Sequence, residues 1–297
     1  MIRLLHSNVT SISNADIVIS GVPDESKSHA KRKGASKGPD SLRKASNYYE
    51  FFERDGITIP ICPMSGTLEN KNILDFGNVA KDDLYRLIFD IVSVKKVPIT
   101  IGGDHSITTN ILNGVYDALE SNKIALLYFD AHPDFVSSTR NYYGSVLTDS
   151  SELIDFTKSI LIGTRAAELE ELENASNKKL EIITPLDIIE VGINEILKKI
   201  ISKCQSSKVY LSIDLDCMDP GVAPGVSVPT PGGLLPLDLI YMIKKISEKL
   251  QVVGMDIVEL CPDYDLNQNT ANHASRILME MISSLRIIKD KAANDLT

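Results

Sequence analysis

The residues best suited to chemistry in this chain are Asp130, His132 and Asp134, in Phe129-Asp130-Ala131-His132-Pro133-Asp134, and their echo in Asp214-Leu215-Asp216. In both stretches ionisable side chains recur at every second position, directly after an apolar run: Ile124 to Tyr128 in the first, Val209 to Ile213 in the second. On extended backbone, residues i, i+2 and i+4 share a side. The spacing therefore predicts that Asp130, His132 and Asp134 converge, and that Asp214 and Asp216 do the same. Four carboxylates and an imidazole brought together repel one another and lose hydration unless a cation holds them. A strand running into such a tip reads as a metal site.

His105, in Gly102-Gly103-Asp104-His105-Ser106, ends another apolar run, Val97 to Ile101, and joins the set as the sixth candidate ligand. Six donors exceed what one catalytic ion with an open position needs. They suit two metals roughly 3.5–4 Å apart that share carboxylates and make a bridging water nucleophilic near neutral pH. An oxygen-rich set with two imidazoles favours manganese, or a similar borderline-hard cation, over structural zinc.

The elements that must position these residues alternate. Apolar runs at 16–20, 97–101, 124–128, 159–162, 180–183, 209–213 and 252–258 read as strands, mostly apolar on both faces. Between them, helical spacing marks Asp82 to about Lys95, the segment after His105 through Ile107, Ile111, Leu112 and Val115, Asp187 to Cys204, the segment through Leu239, Ile243, Ile246 and Leu250, and about Thr270 to Lys289. Gly38-Pro39-Asp40 opens a further helix, with proline in the first turn and an acid at the N-terminal dipole. This pattern predicts an α/β fold, a parallel sheet covered by helices on both faces. Ligands then bind beyond the carboxyl ends of the strands, where His105, Asp130, Asp214 and Glu259 all fall. The basic loop at 22–37 and the acidic helix through Glu168, Glu170, Glu171 and Glu173 read as solvated surface. The last residues, 291–297, read as frayed. With no repeat or domain boundary, residues 1–297 are expected to form a single domain.

A formal net charge of -9 argues against a nucleic-acid or anionic-membrane surface. No apolar run approaches a membrane span and Met1 to Leu5 lacks the core of a signal peptide. Four cysteines without a CxxC pair suggest free thiols in a reducing compartment. The expected setting is cytoplasmic.

Taken together, Gly102-Gly103-Asp104-His105-Ser106, Phe129 to Asp134 and Ser212-Ile213-Asp214-Leu215-Asp216-Cys217-Met218-Asp219-Pro220 resemble the three signatures of the ureohydrolases, the family of arginase and agmatinase. Supporting matches run along the chain: Lys33-Gly34 to Gly38-Pro39, Arg43, Asp75 to Asn78, Ala223-Pro224-Gly225, Pro231 to Leu234, and Asp256-Ile257-Val258-Glu259. The resemblance implies an arginase-like three-layer αβα fold and two manganese ions. One would be held by His105, Asp130, Asp134 and Asp214, the other by Asp130, His132, Asp214 and Asp216. Asp134 would help carry a proton to the leaving amine, and Glu259 would bind the guanidinium of a small guanidino substrate. Such enzymes usually assemble as homotrimers or homohexamers.

The chain departs from the family at one position. A His-Gly pair usually follows the Asp-x-His-x-Asp tip, and its histidine is thought to assist proton transfer; here Tyr143-Gly144 stands in its place. Tyrosine ordinarily titrates near pH 10, which makes Tyr143 a poorer shuttle at neutral pH. The short loop 135–142 looks closer to agmatinases than to arginases. Asp149 or Glu152 could meet a substrate amine, and Arg140 a substrate carboxylate. Agmatine is the expected substrate; the alternatives are arginine, guanidinobutyrate or formiminoglutamate. Two readings from other classes are alternatives. Zinc deacetylases share the arginase-like fold but use Asp-x-His and a separate Asp at one metal; the extra ligands His105, Asp134 and Asp216 argue against them, and a metal count separates the two. A non-catalytic homologue would bind metal and release no urea.

Overall fold

The structure, a computed structural model, describes residues 2–64 and 66–287. In chain order its elements are β1 (Ile17–Gly21), α1 (Gly38–Tyr49), β2 (Phe51–Arg54), β3 (Ile57–Pro60), β4 (Ile73–Asn78), α2 (Lys81–Ser93), β5 (Val97–Ile101), α3 (Ile107–Ala118), β6 (Ala125–Phe129), α4 (Val146–Asp149), β7 (Ile160–Ile162), α5 (Leu169–Asn177), β8 (Glu181–Ile183), α6 (Pro185–Val191), α7 (Ile193–Cys204), β9 (Lys208–Asp214), α8 (Pro236–Lys249), β10 (Gln251–Val258) and α9 (Asn269–Ser284).

Eight strands form one parallel sheet in the order β4-β1-β5-β10-β9-β6-β7-β8, and β2 and β3 form a separate antiparallel hairpin. Apolar residues alternate between two helical layers. Leu127 and Phe129 enter the core that α1, α7, α8 and α9 cover, while Leu126 and Tyr128 enter the core beneath α2 and α3. Covered on both faces, the strands need no polar side, which is why their runs are continuous rather than alternating. This is the expected three-layer αβα arrangement.

Consecutive strands β5 and β6 lie apart, with β10 and β9 inserted between them. The chain connections on either side diverge at that point and leave a crevice beyond the carboxyl ends of the four central strands. Each of these strands delivers one candidate group: β5 leads to His105, β10 to Glu259, β9 to Asp214 and β6 to Asp130.

Two expectations change, and two elements carry no clear sequence signal. The helix expected from Asp187 to Cys204 is two helices broken at Gly192 (φ 91), a left-handed turn that favours glycine. The strand β4 and the hairpin 51–60 were not read from the sequence, the first because Asp75, Gly77 and Asn78 interrupt its apolar run. Asp75 is nonetheless fully buried: Arg43 donates to both of its oxygens at 2.8 Å, which ties α1 to the sheet. The last helix, expected to run to about Lys289, stops at Ser284, where Leu285 leaves helical backbone (φ -59, ψ 131); the segment 291–297 lies outside the described residues.

Candidate metal centre

At the β5 tip the backbone passes so close to its neighbours that side chains have no room. A Cβ on Gly103 would stand 1.9 Å from the Asp24 carbonyl oxygen, and one on Gly102 would stand 2.4 Å from Ile107. Asp104 caps the turn by accepting the Lys27 and Ser106 N–H groups. His105 is thereby carried into the interior, fully buried. Its Nε2 lies 2.8 Å from Ser212 Oγ, whose own hydrogen goes to Asp256 Oδ1 at 2.7 Å. Ser212 must then accept from Nε2–H, which leaves the Nδ1 lone pair free to act as a ligand. Asp256 is fixed in turn by the hydroxyls of Thr108 and Tyr210, each at 2.9 Å.

Around Nδ1 of His105 stand Asp130 Oδ2 at 3.0 Å, Asp134 Oδ2 at 3.2 Å and Asp214 Oδ2 at 3.3 Å. Across Asp130, His132 Nδ1 lies 3.1 Å from Asp216 Oδ2 and 3.4 Å from Asp130 Oδ1. Two donor groups result, His105–Asp130–Asp134 and Asp130–His132–Asp216, each with its atoms within 4.8 Å of one another. Asp130 belongs to both, and Asp214 adjoins the first.

The convergence does not come from strand alternation, as the sequence suggested. Strand β6 ends at Phe129, and Asp134 adopts a left-handed conformation (φ 49) on the loop beyond. Strand β9 ends at Asp214, and Leu215–Cys217 form a tight 3-10 turn. The turns bring the carboxylates round and use them as caps: Asp214 Oδ1 accepts the Asp216 N–H at 2.7 Å, and Asp216 Oδ1 accepts the Ala131 N–H at 3.1 Å. Each then has its second oxygen facing a histidine.

The electrostatics call for cations. Burial, then repulsion from Asp216 and Asp134, pushes Asp130 up to about 6, and burial with the same kind of repulsion raises Asp214 well above the carboxylate range. Burial disfavours a charged imidazole at His132, yet Asp216 and Asp130 draw it up to about 12. A cation bound here would relieve that repulsion and compete with protons for the same atoms. Asp130 Oδ2, moreover, is buried without a hydrogen-bond partner among the described residues. Two cations fit this donor set.

Glu259 follows β10 in a left-handed conformation (φ 64), its N–H donating to Gly103 O at 2.8 Å. Its Oε1 accepts the His105 N–H at 2.9 Å, while Oε2 is buried with no hydrogen-bond partner among the described residues. Burial above all pushes its carboxyl up to about 8.

Tyr143 opens a short turn whose N–H donates to Lys27 O at 3.3 Å, so the basic loop folds onto it. His29 of that loop stacks on Tyr142 with ring centres 4.9 Å apart. Burial, then the negative charge of Asp134 and Glu259, pushes the Tyr143 hydroxyl up to about 12. Arg140 reaches toward Asp149 at 3.8 Å, and Asp149 also accepts the Asn141 N–H and the Ser145 hydroxyl. Those two rim candidates therefore face each other, and Glu152 is exposed.

Sequence reasoning passed over several supporting groups. Ser212 and Tyr128 look like ordinary strand residues, yet the Tyr128 hydroxyl donates to Asp134 Oδ2 at 2.6 Å and its ring stacks on His105 at 4.6 Å. Arg165 donates to the carbonyls of Asp216, Cys217 and Met218 and holds the β9 turn; a charged residue just past a strand was the available signal. The acidic run on α5 is not a solvated face throughout. Glu171 is buried, accepts the N–H of Phe135, and is pushed up to about 7 chiefly by burial. Among the described residues all four cysteines are free thiols, and no helix is long and apolar enough to cross a membrane.

The fold and the cluster together define a class: an open α/β protein whose central strand ends converge on a carboxylate–imidazole centre able to hold cations. Known proteins narrow it. The family model described as Arginase family matches residues 15–283. An agmatinase of Blochmanniella floridana is 32% identical over 281 residues, covering 90% of this chain and 87% of that protein. The agmatine ureohydrolase of Thermoplasma volcanium superposes with a TM-score of 0.80 at 28% identity, covering 96% of this chain and 94% of that one. The proclavaminate amidino hydrolase of Streptomyces clavuligerus gives 0.82 at 26% identity, with 96% and 97% covered. The chain belongs to the arginase family. It is a ureohydrolase, acting on C–N bonds of guanidino compounds.

Proposed function

We propose that this ureohydrolase is an agmatinase, which hydrolyses agmatine to urea and putrescine with two manganese ions held by His105, Asp130, His132, Asp134, Asp214 and Asp216. The similarity to agmatinases over nine-tenths of the chain supports the substrate, and the oxygen-rich donor set with two imidazoles supports the metal. Bound there, a pair of cations supplies a water made nucleophilic at neutral pH and positive charge against the tetrahedral intermediate.

The protein's own residues do the rest. The observation that carries the reading is Glu259: a buried carboxylate with one oxygen tied to His105 N–H and the other without a hydrogen-bond partner among the described residues. A planar guanidinium pairs with such an oxygen by charge-assisted hydrogen bonding and is held in one orientation over the cluster. In this reading Asp134, whose Oδ2 accepts from Tyr128, takes a proton and passes it to the leaving amine. Tyr143 serves as a neutral hydrogen-bond donor at the entrance. A cytoplasmic homotrimer or homohexamer of single-domain subunits is the assembly this reading carries with it.

Urea release from agmatine, arginine and guanidinobutyrate by manganese-loaded protein tests the proposal. Agmatine should be preferred by at least tenfold in kcat/KM, a discrimination of about 1.4 kcal/mol. A preference for guanidinobutyrate would keep the reaction and transfer specificity to a cationic rim. No urea from any of the three, with metal bound, would reject it.

A further inference from the structure

One helix outside the cluster grips the backbone that leaves it. On α5, Glu170, Glu171 and Asn174 all reach residues 135–138. Glu171 Oε1 accepts the Phe135 N–H at 3.0 Å, and its Oε2 accepts the N–H of Glu168 at 2.8 Å. Asn174 Nδ2 donates to the Phe135 carbonyl at 2.7 Å and to Ser137 Oγ at 3.1 Å. Glu170 accepts the N–H groups of Ser137 and Ser138 at 2.9 and 2.7 Å, together with both hydroxyls. From the other side, Leu147 N–H donates to the Asp134 carbonyl at 3.0 Å. The Phe135 ring is fixed as well, stacked on Phe156 with centres 5.3 Å apart.

Residues 171 and 174 are three apart and share a helix face, so one face holds both the N–H and the C=O of Phe135. The residue immediately before, Asp134, has φ 49. An aspartate persists in that conformation only where its surroundings over-determine it. A buried carboxylate is a costly way to cap a helix, and Glu171, 4% exposed, does more than cap.

We propose that Glu171, with Asn174, is a positioning residue: by fixing the peptide after Asp134 it keeps that carboxylate turned toward His105, and so sets cation affinity at the His105–Asp130–Asp134 group without touching cation or substrate. The proposal rests on the reading of the cluster as a two-cation centre. It assigns α5 a role that exposed acids on the same helix, such as Glu173, do not share.

Calorimetric titration of the metal-stripped full chain with manganese, beside steady-state urea release, tests it on Glu171→Ala, Glu171→Gln, Asn174→Ala and the exposed control Glu173→Ala. The wild type should take two equivalents. Glu171→Ala should bind one of them about 10–100-fold more weakly, the range for a lost outer-sphere partner. Its kcat should fall at limiting manganese with KM unchanged, and recover in excess manganese. Glu171→Gln keeps an acceptor for Phe135 and should regain most of the affinity; Glu173→Ala should match the wild type. If Glu171→Ala does not fold, Asn174→Ala decides, with a smaller weakening of the same single equivalent expected. Unchanged affinity for both equivalents, with only the Tm lowered, would overturn the proposal. A wild type that takes fewer than two equivalents removes the two-cation reading beneath it, a failure seen before any variant is compared.

Discussion

His105 and His132 face the same carboxylate, Asp130, yet the molecule holds them in opposite ways. His105 is fully buried, stacked on Tyr128, and backed by a chain of hydrogen bonds through Ser212 to Asp256, Thr108 and Tyr210. His132 has a side chain 23% exposed, and among the described residues its distal nitrogen has one hydrogen-bond contact, Thr230 Oγ1 at 3.4 Å. The first half of the centre is organised before a cation arrives; the second is set mainly by the carboxylates Asp130 and Asp216. Outer-sphere hydrogen bonds stiffen a ligand only where solvent does not compete with them. The buried half is therefore a fixture of the sheet, and the half that carries the partly exposed His132 is the more open to solvent.

The most severe way to break this contrast is to remove what both halves share. Asp130→Asn should abolish binding of both manganese equivalents, and kcat should fall on the order of 10⁴-fold, the scale of losing an acting group outright; residual two-metal binding by elemental analysis would show that Asp130 is not common to them. The halves separate next. Asp256→Asn leaves buried hydroxyls without their acceptor, so chemical denaturation should show a loss of about 1–3 kcal/mol. Titration of the same variant should show one equivalent weakened about 10–100-fold. Thr230→Ala, the corresponding change behind His132, should shift neither quantity more than about threefold, because its contact is long and partly solvated.

Two smaller effects sharpen the picture at the rim. Because burial and the neighbouring carboxylates push Tyr143 up to about 12, Tyr143→Phe should leave the pH profile of kcat unchanged below pH 10. Tyr143→His should raise the rate at pH 7 by some part of the roughly 100-fold that a positioned acid–base group supplies; stopped-time urea assays from pH 6 to 10 would check both. Glu171 gives the mildest signal. Its carboxyl is raised in the folded chain to about 7 from an ordinary 4.5, so the folded state binds the extra proton between those values. Its contribution to stability is full below about pH 4.5 and is lost as pH rises through 7. In denaturation of metal-free protein at pH 5 and pH 8, Glu171→Gln should lose less stability on going to pH 8 than the wild type. A larger loss in the variant would reverse the sign assigned to this group.

The sequence by itself determined the parallel sheet, the strands that matter and the chemical types of the donors. Continuous apolar runs such as Val97 to Ile101 can be stable only when covered on both faces, and charged residues at their ends have nowhere to lie but the rim. That much is local chemistry. Only the tertiary structure decided how the donors meet. Alternation was the wrong device for Asp134 and Asp216, because left-handed and 3-10 backbone, held by long-range hydrogen bonds to Phe135, Ala131 and Arg165, turns them instead. The roles of Ser212 and Glu171 were equally illegible. A serine inside a strand and an acid on a polar helix acquire meaning from groups tens of residues away: for Ser212 those on β10 and beyond β5, joined when β10 and β9 insert between β5 and β6, and for Glu171 the loop after β6.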